Sequence, residues 1–158
     1  MSIKQNLFVL TLLLTGIYSC TQPKKEASVS SLPNADSTEA SVKGCYIYTL
    51  NKDTFQLAIT SINKTDIEGS LFYNFSEKDD SKGTFNGSFD GEILKGDYTF
   101  QAEGSTSVRE IIFKKTPTGF VEGSGEVKEI DNKAIFSKPD AITYDNGIAF
   151  TKTENCLP

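Results

Sequence analysis

The chain has 158 residues, with 16 Lys and Arg against 21 Asp and Glu, three Cys, and neither His nor Trp. Without histidine, most general-base, Ser-His-Asp and Cys-His mechanisms are excluded, and neither a P-loop nor a dinucleotide fingerprint occurs. The acidic balance, with no clustered Lys or Arg, argues against nucleic acid and anionic lipid head groups as partners. The expectation is a non-enzymatic protein without a cofactor.

The first twenty residues have the tripartite physics of an export signal. Lys4 supplies a positive start, and Leu7 to Leu14 form an apolar run of about eight residues. Such a run is too short for a permanent transmembrane helix, which needs ~20 residues. Ile17-Tyr18-Ser19-Cys20 resembles the bacterial lipobox, with Tyr18 bulkier than usual at its place. That resemblance implies cleavage after Ser19 and acylation of Cys20. The competing reading, an ordinary secretory signal, leaves an odd thiol in an exported protein, since Cys20, Cys45 and Cys156 are three. Lipidation of Cys20 predicts a cell-envelope protein anchored to the inner or outer membrane, on its periplasmic or cell-surface face.

Residues 20 to 43 are expected to be the lipidated cysteine and a polar, Ser- and Thr-rich tether, which cannot bury enough apolar surface to offset its ordering entropy. Asp36-Ser37-Thr38 matches a short O-glycosylation pattern of Bacteroidetes, and also what chance gives in such a tract. Residues 44 to 158 then suit one domain with one core.

This domain is predicted to be all-β. Turn-forming clusters recur at short intervals, among them Asn51-Lys52-Asp53, Asp90-Gly91, Glu103-Gly104 and Asp131-Asn132. Asp90-Gly91 has the composition of a two-residue hairpin turn with positive φ. Between the turns, apolar residues alternate: Phe55, Leu57 and Ile59 in 54 to 60; Ile67, Gly69, Leu71, Tyr73 and Phe75 in 66 to 75; Leu94, Gly96, Tyr98 and Phe100 in 94 to 101. Further strands are expected at 44–50, 83–89, 106–115, 119–128, 133–137 and 147–152. Eight or nine short strands with hairpin-length connections predict a single antiparallel meander, closing into a small up-and-down barrel or a strongly curled sheet. Inward glycines, as in Ile67-Glu-Gly69-Ser-Leu71, would let the strands bend sharply.

Cys45 and Cys156 remain as a pair, expected to form a structural disulfide in an oxidising compartment. A redox-active pair is the alternative, but there is no Cys-x-x-Cys spacing. The bond would bring the two ends of the domain together, as closure of a meander requires.

Three features carry candidate chemistry. Ser76-Glu77-Lys78-Asp79-Asp80 crowds carboxylates that could hold Ca²⁺, but lacks EF-hand spacing and reads as a solvated hairpin tip; no metal site is expected. The stretch from Glu103 to Glu110 is ambiguous in phase. If Val108 and Ile112 face inward, Glu110 does too; if Ile111 and Phe113 do, Arg109 does. Either choice aims a charge at the barrel interior, where it persists only if paired or ligand-linked. Arg109, Glu110, Tyr98 and Glu103 are therefore the candidate ligand or interior polar site. Lastly, if Val121 and Val127 face inward, so do Gly123 and Gly125, leaving pocket volume or room for Tyr98 and Phe100.

The stretch Asp97-Tyr-Thr-Phe-Gln-Ala-Glu-Gly-Ser-Thr-Ser-Val-Arg-Glu-Ile-Ile-Phe113, with Gly44-Cys45-Tyr46, resembles a group of uncharacterised Bacteroidetes lipoproteins over about 44 to 156. More broadly the meander resembles calycin-like barrels such as lipocalins, although the lipocalin Gly-x-Trp signature is absent. The resemblance implies a β-barrel but no activity; one expectation is that the barrel interior binds a small apolar or amphipathic ligand. The alternative is a protein-interaction or inhibitor module of the envelope, and fold analogy does not choose between them.

Overall fold

The computed structural model describes residues 41–158. The expected signal segment, Cys20 and nearly all of the expected tether lie outside them. Ten strands follow in chain order: β1 (Gly44–Leu50), β2 (Asp53–Asn63), β3 (Asp66–Asn74), β4 (Ser81–Phe89), β5 (Ile93–Ala102), β6 (Ser105–Lys115), β7 (Gly119–Glu122), β8 (Val127–Ile130), β9 (Lys133–Phe136) and β10 (Ala149–Thr153). Successive strands from β1 to β7 pair antiparallel; β10 pairs antiparallel with β7 on one side and β1 on the other. These eight strands form a closed antiparallel barrel. The predicted all-β barrel is what forms, with β8 and β9 as a supernumerary hairpin.

The alternation read from the sequence is what rolls the sheet. Phe55, Leu57 and Ile59 of β2 are buried, as are Ile67, Leu71 and Tyr73 of β3 and Leu94 and Tyr98 of β5. A register shift between Ile59 and Ser61 lets Ile62 rejoin the buried face three residues on. Such an extra residue also sharpens local twist. Gly69 lies inward, where a Cβ would stand 2.0 Å from the Ala58 carbonyl oxygen and 2.7 Å from the Phe85 ring. Its bare backbone is the surface on which Phe85 packs.

Two connections are two-residue turns with positive φ at both central residues, as the type I′ hairpin requires: Glu103 (50°) and Gly104 (75°), and Asp131 (50°) and Asn132 (61°). Asp90-Gly91 differs from expectation. Only Gly91 has positive φ, and the Asp90 carboxylate instead accepts hydrogen bonds from the Glu92 and Ile93 N–H groups at 2.8 and 2.7 Å. Asp90 starts the turn rather than forming its centre. These bonds hold its carboxyl below the usual carboxylate range.

The expected strand 119–128 is two strands. β7 ends at Glu122, and the chain leaves the barrel through Gly123 to Glu126 before β8 begins at Val127. Gly123 is wedged against an outer layer, where a Cβ would meet Ile112, Ile142 and Tyr144 side-chain atoms at 2.7 to 2.9 Å. The strand phase differs from expectation, since Phe120 and Glu122 face the interior from β7, while Gly123 and Gly125 still border the cavity. The β8–β9 hairpin returns to lay β9 parallel to β6 at Val108 and Arg109, beyond the point where β7 stops.

Cys45 and Cys156 form a disulfide with Cα atoms 5.3 Å apart. Cys45 lies opposite Thr153 on the β1–β10 seam, so the bond sits where the barrel closes. One half of the interior is solid, filled by Leu57, Ile67, Leu94, Phe113, Phe120 and Phe150. The other end is not.

Candidate functional site

At that other end the barrel opens into a cavity of about 610 Å³. Its walls are largely apolar, with Phe75, Phe100, Ile111, Phe136 and Ile148 among the lining residues; Tyr73, Arg109 and Glu122 bring the central polar groups. The phase of β6 decides this arrangement. Ile111 and Phe113 take the inner face, so Arg109 points inward with them.

The Arg109 guanidinium is held among three rings. Its Cζ lies 5.0 Å from the centroid of Tyr73, 5.5 Å from Tyr98 and 5.8 Å from Phe100. Tyr98 and Phe100 are stacked at 4.8 Å, giving the cation a flat aromatic wall of the kind that attracts it electrostatically. The Arg109 Nη2 is 3.6 Å from Glu122 Oε1, and the Tyr73 hydroxyl donates to the same oxygen at 2.7 Å. Arg109 Nε is buried and meets no hydrogen-bond acceptor among the described residues. The guanidinium is therefore only partly satisfied by the protein.

Burial pushes the Glu122 carboxyl above its ordinary value, against the opposing pull of the Tyr73 hydrogen bond and the Arg109 charge. Burial, with the Glu122 charge beside it, also holds the Tyr73 hydroxyl well above its usual range. Tyr98 is fully buried; its hydroxyl donates to the Leu71 carbonyl at 2.9 Å and lies 3.2 Å from Ser81 Oγ. Tyr98 thus serves as floor and brace, with its polar atom already engaged.

The four residues read from the sequence separate. Arg109 and Tyr98 come together at the cavity. Glu110 emerges on the opposite face of β6, where Lys95 pairs with it at 2.9 Å and the Phe136 N–H donates to it at 3.0 Å. Burial would raise its carboxyl, but these two bonds together hold it below the ordinary value. Glu110 fastens the β8–β9 hairpin to the barrel and borders the cavity from there. Glu103 does not join them, because the β5–β6 turn carries it to an exposed position at positive φ.

Glu122 and Tyr73 complete the group and were not singled out in the sequence. The signal was present in Phe120-Val-Glu122: a carboxylate two residues from a core aromatic must share its face. Val121 and Val127 suggested the opposite phase.

The acidic stretch from Glu77 to Asp80 is exposed between β3 and β4, with Asp80 accepting a hydrogen bond from the Phe75 N–H. Among the described residues no group of three His, Cys, Asp or Glu is placed to hold a metal ion, and no helix is long and apolar enough to cross a membrane. No protein-family model, curated protein or solved structure matches the chain.

Proposed function

We propose that this chain is an envelope lipoprotein, anchored through Cys20, whose barrel binds a small amphipathic molecule in the cavity at its open end without transforming it. The cavity carries this reading. Its volume of about 610 Å³ falls within the ~300–1,000 Å³ of small-molecule sites, and apolar walls with a few convergent polar groups are their usual lining. A partly satisfied arginine beside an aromatic floor gives a ligand one polar contact and a large apolar one. The anchor reading rests on the lipobox-like sequence before Cys20.

Native mass spectrometry of the protein isolated from its own cells tests the binding. A retained one-to-one adduct of small-molecule mass supports it; bare protein, with no uptake from a lipid extract of the same cells, refutes it. For the anchor, wild-type protein should incorporate labelled palmitate and Cys20→Ala should not. Equal labelling of both would refute acylation at that cysteine.

A second reading, an interaction module, is favoured by one feature. Among the described residues β8 is paired on one side only, and Val127 and Ile130 are about half exposed, at 59% and 45%. An unpaired strand edge can accept an extended segment of another protein.

A further inference from the structure

The charge arrangement in the cavity narrows the class of ligand. Arg109 brings the only cation among the described residues that line it, and its Nε has no hydrogen-bond partner among them. Its one carboxylate partner, Glu122, sits 3.6 Å away, longer than a close charge-assisted hydrogen bond of ~2.7–2.9 Å. Glu122 has a second partner in Tyr73 and so does not depend on Arg109 for its hydrogen bonding. The guanidinium is thus open to a better acceptor, while Glu122 can stay where it is.

Resting on the ligand-binding reading above, we infer that the cavity takes an anionic amphiphile, a carboxylate or sulfonate on an apolar or aromatic body, whose head group displaces Glu122 from Arg109 as Glu122 takes up a proton from solvent. Two carboxylate-like groups at one arginine cannot both remain ionised at low cost, and the buried one is the one that neutralises. Every charged or titratable group facing Glu122 fits this exchange. Arg109 comes from β6, Tyr73 from β3 and Tyr98 from β5; both tyrosines stay protonated, and Tyr73 keeps its hydroxyl on Glu122. Glu110, also at the cavity, is held ionised by Lys95 and the Phe136 N–H. A protonated Glu122 can still accept from Tyr73 and leaves Arg109 for the incoming anion.

A pair of fluorescent probes with one aromatic body tests this. 1-Anilinonaphthalene-8-sulfonate stays anionic throughout the pH range used, whereas N-phenyl-1-naphthylamine lacks the sulfonate. With the full protein, the sulfonate should tighten as pH falls from about 7.5 to about 5.5, by up to ~tenfold per pH unit for one proton taken up. The neutral probe should bind with no such slope. Glu122→Gln should abolish the slope and bind the sulfonate more tightly than wild type at the upper pH. Arg109→Met should weaken the sulfonate and retain the neutral probe. If Arg109→Met fails to fold, the wild-type and Glu122→Gln titrations decide alone. A flat sulfonate profile in wild type, or an unchanged slope in Glu122→Gln, overturns the inference. Binding of the neutral probe alone overturns it too but leaves a ligand-binding cavity standing; binding of neither overturns both.

Discussion

Reducing the Cys45–Cys156 bond should strip the barrel of much of its thermodynamic margin. The two cysteines are 111 residues apart. In the chain-entropy treatment a loop of that length stabilises the fold by about 5 kcal/mol, by narrowing the unfolded ensemble. Typical domains are stable by only ~5–15 kcal/mol, so the bond is a large fraction of the whole. The bond also lies against the β1–β10 seam, where Cys45 faces Thr153. For roughly 118 described residues, an unfolding entropy of ~2.1 cal/mol/K per residue converts that loss to a fall in Tm of about 20 °C. Far-UV circular dichroism or tyrosine fluorescence can follow urea and thermal unfolding with and without a phosphine reductant, since the chain has six Tyr and no Trp to dominate emission. Unfolding curves that coincide to within about 0.5 kcal/mol would refute the reasoning, for the seam would then be closed by strand pairing alone.

Gly69→Ala should destabilise the barrel by about 1–3 kcal/mol through overpacking against the Ala58 carbonyl and the Phe85 ring, measured by urea denaturation; a neutral effect would mean that Phe85 does not rest on that backbone. Stability should also depend on pH through Glu122. Its folded-state carboxyl is raised by burial, so the native state holds this proton more tightly than the unfolded chain. The stabilisation is complete below the unfolded value and lost as pH rises through the folded one. Wild type should therefore lose stability relative to Glu122→Gln across that window and run parallel to it above; a difference that grows in wild type's favour with rising pH would reverse the assignment.

The strands with one wet face were legible. In β2, β3 and β5 the apolar residues alternate against Thr, Gln, Lys and Asp, and the buried faces follow that alternation. The Cys45–Cys156 pairing is legible from the cysteine count and the export signal, and the two ends of the barrel meet at that bond. β6 was ambiguous for a physical reason: Ile111, Ile112 and Phe113 are all buried. Ile142 and Tyr144 pack outside the barrel near Gly123, against the outer side of Ile112, so both faces of β6 lose contact with water and the period of two is blurred there. Val121 and Val127 suggested one continuous strand, whereas the chain turns out of the barrel after Glu122 and re-enters as a separate hairpin. Arg109 was therefore found as one of two alternatives. Its partner Glu122 was hidden by a wrong phase over four residues.

If the open end of the barrel holds the ligand while the other half is packed solid, isoleucines at the two ends report it. Ile148 and Ile111 line the cavity, Ile111 where it meets the core cluster, whereas Ile59 and Ile67 belong to the cluster and do not line the cavity. With isoleucine δ-methyl groups labelled, intermolecular NOEs from bound N-phenyl-1-naphthylamine should reach Ile111 and Ile148 and not Ile59 or Ile67. Contacts confined to the exposed Ile130 of β8, or to no isoleucine of the cavity, would contradict it.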